Sequence, residues 1–94
     1  MYKVNLTESY FPAQGGTEPA PLTIGAMLRA SVARAPDFPA LKALDYDGTI
    51  LRTWTYSQLL DDSERLARAL ASRHAEGVRI AVYANNVPEW VLLE

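Results

Sequence analysis

Residues 50–73 read ILRTWTYSQLLDDSERLARALASR, and the side-chain period changes inside this stretch. Over residues 50–55 it is two: Ile50, Arg52 and Trp54 fall on one face and Leu51 and Thr53 on the other, as in a strand. From residue 56 it becomes helical, with Leu59, Leu66 and Leu70 on one face and Leu60, Ala67 and Ala71 beside them. Thr55 and Gln58 stand at the capping-box spacing, so Thr55 marks the start of a helix running to about Arg73. A strand feeding directly into an amphipathic helix points to an α/β fold.

Working back from residue 50, Asp47-Gly48 is a hairpin signal, because both residues tolerate the positive φ of a tight turn. Residues 40–44 then read as the strand that pairs with 50–55. Pro36, Asp37 and Pro39 make the turn before it. Ile24, Met27, Leu28, Val32 and Ala35 recur at helical spacing behind Thr23, a suitable N-cap, and Pro36 stops that helix. Arg29 and Arg34 fall off this apolar stripe. Residues 1–22 read as an irregular arm broken by Pro12, Gly15, Gly16, Pro19 and Pro21, with Tyr10 and Phe11 as aromatic packing contacts.

Working forward, Gly77 breaks the long helix, with His74 near its C-terminus as a dipole partner. In residues 78–84 Val78, Ile80, Val82 and Ala84 alternate with Arg79, Ala81 and Tyr83. A largely apolar run of this kind suits a central strand covered on both faces. Asn86 is the expected N-cap of a final helix, with Pro88 in its first turn and Glu89 three residues on. The expected order is therefore helix, strand, strand, helix, strand, helix start. The last helix is short and apolar on nearly all sides, so residues 23–94 read as an incomplete α/β portion, truncated after Glu94, that needs a larger body to pack against.

The composition narrows function more by exclusion. The chain has 94 residues, 9 Lys plus Arg, 11 Asp plus Glu and a formal net charge of -2. It lacks the basic footprint of a nucleic-acid surface and a polybasic membrane patch. Zero cysteines leave no disulfide framework and no thiolate metal site. There is no signal-like apolar run and no stretch long enough to span a membrane, which sets a cytoplasmic expectation.

Acidic and basic residues on the long helix have structural readings. Asp61 with Arg65 and Glu64 with Arg68 are four apart and expected to pair on the wet face. Asp61 and Asp62 are neighbours about 100° apart on a helix, a poor arrangement for sharing a ligand. Trp54 and Trp90 are expected as buried anchors with no charged partner. No residue of 1–94 is assigned a catalytic, cofactor-binding or metal-ligating role.

The strings TIGAMLRASVARAPDFPAL, RTWTYSQLLDDSERLARALA and RIAVYANNVPEWVLLE, in this order, resemble the N-terminal segment of the adenylate-forming enzymes. Trp54-Thr55-Tyr56 with Leu59 is similar to that family's T-Y-x-x-L pattern. Arg65, Leu66, Ala67 and Leu70 are similar to its R-L-A-x-x-L pattern, and Val82 to Glu89 to its strand followed by N-x-P-E. WTYSQLL and NNVPEWVLLE most resemble the fatty-acyl-CoA synthetases. The connector departs from the pattern: Gly77 is followed directly by Val78-Arg79, without the acidic residue common there.

The resemblance implies a fragment of the large N-terminal AMP-binding domain of a ligase. The implied parent joins a fatty acid to coenzyme A through an acyl-adenylate, using ATP and Mg2+ bound outside residues 1–94. The family's Ser/Thr/Gly-rich phosphate loop ending in Lys, its Thr-Glu pair for magnesium, its ribose-binding Asp and its distal lysine have no match here. The 94-residue piece alone is then expected to be inactive. Expected partners are a carboxylic acid substrate and the remainder of the same chain on the last strand and helix; a homodimer stays open. Two other readings also stay open: an amino-acid or aryl-acid adenylating enzyme of the same superfamily, and a stand-alone non-catalytic α/β interaction module.

Overall fold

The computed structural model describes residues 12, 15–16 and 19–94. Tyr10, Phe11 and most of the expected arm lie outside the described residues. Five elements follow in order: α1 (Ile24–Arg34), β1 (Pro39–Leu44), β2 (Ile50–Thr55), α2 (Tyr56–Ala71) and α3 (Glu89–Leu93). The fold is mixed α/β.

Helix α1 begins where Thr23 Oγ1 accepts from the Ala26 N–H at 3.1 Å, which satisfies one of the unpaired donors of the first turn. It ends before Pro36, with Ala35 as C-cap. Strands β1 and β2 pair antiparallel, with Leu41 opposite Trp54 and Lys42 opposite Thr53. The turn between them falls at Asp47-Gly48, as expected, within the connection 45–49. The Gly48 N–H donates to the Asp45 carbonyl at 2.9 Å, and the Asp45 N–H to the Thr49 carbonyl at 2.8 Å. Gly48 alone takes positive φ, at 86°, so the loop is a β-turn closed by a left-handed glycine. Asp47 serves through its side chain instead, its Oδ1 accepting from the Thr49 N–H at 2.9 Å.

Helix α2 starts as its sequence dictates. Thr55 Oγ1 accepts from the Gln58 N–H at 3.2 Å, and Gln58 Oε1 accepts from the Thr55 N–H at 3.0 Å. The N–H groups of Tyr56 and Ser57 donate at 3.0 Å to the carbonyls of Phe38 and Pro36, residues just before β1. The first turn of α2 is thus fastened to both ends of the hairpin. The helix closes at Ala71, two residues before the expected end, and the chain reverses at Gly77, where φ is 80°.

Three sequence expectations are corrected. Residues 78–84 form no strand: the sheet of the described residues has only β1 and β2, and an apolar alternating segment becomes a strand only when a neighbour completes its ladder. Asn86 does not cap α3; Pro88 holds that position with φ -62° and no side-chain cap bond, because its ring already fixes the helical φ. Asp61 does not pair with Arg65. That guanidinium reaches back to Asp62 at 3.5 Å, an i,i+3 pair.

The core is small. Among the described residues Trp54 and Leu59 are the buried side chains, 2% and 6% exposed. Helix α2 packs on α1, on α3 and on both strands, so it is the shared wall of the molecule. Trp90 is only half-buried, short of the anchor role expected for it, and its Nε1–H donates to the Asn85 carbonyl at 2.9 Å.

Candidate functional site

Two features stand out. The first sits where β2 runs into α2. The Nε1–H of Trp54 donates to Asp62 Oδ2 at 3.0 Å, and Arg52 Nη2 donates to the same oxygen at 3.0 Å. The Arg52 guanidinium carbon lies 3.9 Å from the Trp54 ring centroid, a cation–π contact that roofs the indole. Arg65 approaches Asp62 Oδ1 at 3.5 Å. The Trp54 N–H holds the Asp62 carboxyl below its ordinary value; burial opposes it, and the charges of Arg52 and Arg65 add to the lowering. A carboxylate so held is a poor base. The arrangement orients a strand against a helix rather than moving a proton.

This cluster was not anticipated from the sequence, where Trp54 had no expected charged partner and Asp62 was only half of a neighbouring acidic pair. The two residues are eight apart across a strand-to-helix junction, and neither period of two nor period of 3.6 links them. The one available signal was the indole itself, whose N–H needs an acceptor once the ring is buried.

The second feature is an open cleft of about 500 Å³ where α1, α2 and α3 converge. Met27, Leu28, Leu60, Ala67 and Leu92 contribute apolar walls. Near it, Arg29 Nη2 bonds Glu64 Oε1 at 3.0 Å, and Arg68 approaches Glu64 Oε2 at 3.6 Å as expected from spacing. These are exposed pairs of small energetic weight, which tie α1 to α2 without a buried charge. The cleft suits apolar packing. His74 lies in the exposed turn after α2, its own N–H donating to the Leu70 carbonyl at 3.0 Å.

A family profile described as AMP-binding enzyme matches residues 28–94, which take in most of α1, the hairpin, the Trp54–Asp62 junction, α2 and α3. The match spans well over half of the sequence. The chain belongs to the AMP-binding enzyme family. No curated protein and no solved structure gives a significant match to it. As AMP-binding enzymes, its relatives are adenylate-forming, generally using ATP and Mg2+ to activate carboxylates. No helix of the described residues is long and apolar enough to cross a membrane.

Proposed function

We propose that this chain is the N-terminal scaffold segment of an ATP-dependent acyl-CoA synthetase. The parent would convert a fatty acid, ATP and coenzyme A into acyl-CoA, AMP and pyrophosphate. The observation that carries the reading is the family match over residues 28–94, taken with the resemblance of WTYSQLL and NNVPEWVLLE to the fatty-acyl branch. The chemistry needs two half-reactions. A carboxylate is a poor electrophile, so its oxygen first attacks the α-phosphorus of ATP and pyrophosphate leaves. The thiol of coenzyme A then attacks the acyl carbon of the mixed anhydride and AMP leaves. Positive charge must meet the phosphates as charge moves onto them.

In this reading ATP, Mg2+ and coenzyme A are held by other parts of the parent, in the cytoplasm. The described residues do not fit a triphosphate with magnesium. The first-turn N–H groups of α2 are taken up by Thr55, Phe38 and Pro36, and that of Ala26 in α1 by Thr23. Among the described residues no three His, Asp or Glu side chains gather to hold a metal ion. The role of residues 23–94 is then to stay rigid behind the reacting groups, with the remainder of the parent covering the last apolar segment. Val78, Ile80 and Val82 are 52%, 51% and 40% exposed, which supports that covering role.

The test is pyrophosphate release by the parent protein across a panel of fatty, aryl and amino acids, with thioester formation followed in the presence of coenzyme A. Fatty acids should give both products. Release with aryl or amino acids alone would move the protein to another branch, and no release with any carboxylate would end the reading.

A further inference from the structure

Asp47 is the aspartate of this chain that precedes a glycine; Asp37, Asp45, Asp61 and Asp62 precede Phe38, Tyr46, Asp62 and Ser63. It lies in the exposed connection between β1 and β2. Apart from the chain neighbours of Gly48, no atom comes within 4 Å of the place a Cβ would take there, so no bulk screens the Gly48 nitrogen. An Asp-Gly pair of this kind has a chemistry of its own. The side-chain carboxyl carbon and the next backbone nitrogen can close a five-membered ring.

We propose that Asp47-Gly48 is a self-modification site, where the chain passes through a succinimide to isoaspartate, and that the β-turn of residues 45–48 holds this reaction off while the hairpin is folded. In the first step the Gly48 nitrogen attacks Asp47 Cγ. The N–Cγ bond forms, the Cγ–OH bond of the neutral carboxyl breaks, and the amide proton leaves with the hydroxyl as water. Water then adds at either carbonyl of the ring. Opening at Cγ restores aspartate. Opening at the main-chain carbonyl breaks its bond to nitrogen and leaves the chain running through Cβ and Cγ, with a free α-carboxylate. Nothing is oxidised or reduced, and water is the sole co-reactant.

Both reacting groups are occupied in the fold. The Gly48 N–H donates to the Asp45 carbonyl at 2.9 Å, so the nitrogen cannot turn onto Cγ without breaking the turn. Asp47 Oδ1 accepts from the Thr49 N–H at 2.9 Å, an Asx-turn that engages the carboxyl beyond Gly48. The same N–H holds that carboxyl below its ordinary value, in the ionised form that does not expel water. Isoaspartate would add a backbone atom inside the loop closed by the Asp45 N–H and the Thr49 carbonyl, and so disturb the Leu44–Ile50 end of the hairpin. The site stands apart from the ligase reading, because it needs only this turn.

Ring closure must wait for local opening of the turn. Both hydrogen bonds have to break, so in neutral buffer the folded chain should gain isoaspartate at residue 47 at least about tenfold more slowly than the chain unfolded in guanidinium chloride. In the unfolded chain residue 47 should react faster than every other aspartate. Isoaspartate is counted by enzymatic methylation of its α-carboxylate and placed by fragmentation of the digested chain. Thr49→Pro deletes the N–H that holds the carboxylate and should speed the reaction of the folded chain by about threefold or more, with the emission of buried Trp54 reporting that the fold persists. A folded chain less than about tenfold slower than the unfolded one, a faster aspartate elsewhere in the unfolded chain, or a Thr49→Pro variant less than about threefold faster would each overturn the proposal.

Discussion

The Nε1–H of Trp54, in β2 just before its last residue, donates to Asp62 Oδ2 in the second turn of α2 at 3.0 Å. The bond spans the junction where the backbone changes from strand to helix. It lets a large ring be 2% exposed where Leu59 is the other buried side chain among the described residues. Burying an indole without an acceptor leaves its N–H unsatisfied. Asp62 supplies the acceptor, and Arg52 covers the ring while bonding the same carboxylate oxygen.

Asp62→Leu should therefore destabilise the chain more than Asp62→Asn. Asparagine keeps a carbonyl oxygen for the indole N–H and loses only the charge that Arg52 and Arg65 use. Leucine leaves the indole N–H and both guanidinium groups without their acceptor. Urea denaturation of the two variants at neutral pH checks the order. Equal losses would mean that charge alone, and not the Trp54 bond, matters at this junction.

Stability should also fall in acid with a defined sign. The Asp62 carboxyl is held below its ordinary value of 3.8, chiefly by the Trp54 N–H, and Asp47 is held low chiefly by the backbone N–H of Thr49. Between the folded and unfolded values the unfolded chain binds more protons, so stability rises with pH there. The contribution is complete well above 3.8 and is lost as pH drops through the lower folded values. Denaturation midpoints should thus be insensitive to these groups from about pH 5 to 7 and decline below about pH 4. In Asp62→Asn the decline should be shallower.

What could be read from the sequence was local. Thr55 with Gln58, Thr23 behind Ile24, Pro36 as a stop and the Gly48 turn each depend on residues within a few positions, and each element appears in place. The strand expected over 78–84 was not local: its residues have strand chemistry, but a ladder needs a second backbone that no property of those residues supplies. Arg65 chose Asp62 over Asp61 because Asp62 was already drawn to the junction by Trp54 and Arg52, a tertiary preference that i,i+4 spacing does not carry. No catalytic, cofactor-binding or metal-ligating residue was read from the sequence. The Trp54–Asp62 cluster stayed hidden because burial, not periodicity, creates it.

Two glycines should respond in opposite directions to alanine. Gly48 has φ 86°, a region where a Cβ is strained even though no atom lies within 4 Å of the added methyl. Gly48→Ala should cost about 1–2 kcal/mol, and Gly48→Asn less, since Asn tolerates left-handed backbone. Gly25 is in the first turn of α1, and an added Cβ would meet only Arg29 Nη1 at 3.5 Å, an ordinary contact. Gly25→Ala should stabilise by up to about 1 kcal/mol through helix propensity. Thermal melts of both variants in one buffer show whether the signs differ.

Removing the capping-box hydroxyl isolates a single contribution. Thr55→Ala deletes the acceptor for the Gln58 N–H and should cost about 1 kcal/mol. Thr55→Ser keeps the oxygen and should cost much less. Equal losses would show that the methyl group of Thr55, half-buried beside Trp54, matters more than its hydroxyl.

The two tryptophans should separate under truncation. Trp54→Ala removes a fully buried ring, a change that typically costs about 3–5 kcal/mol in lost burial and cavity formation, and it also takes the indole N–H from Asp62 and the ring from beneath Arg52. Trp90 is half-buried, and its N–H bonds a carbonyl, Asn85 O, that water can satisfy once the ring is gone. Trp90→Ala should therefore shift the denaturation midpoint of the 94-residue chain clearly less than Trp54→Ala. In a full-length parent the scaffold reading further expects Trp54→Ala to leave the apparent KM for ATP within about threefold, because loss of packing away from a site is not loss of substrate binding. Denaturation and steady-state kinetics on the same preparations give both quantities. Unchanged stability with a tenfold or greater rise in KM would make Trp54 a ligand contact and not a structural anchor.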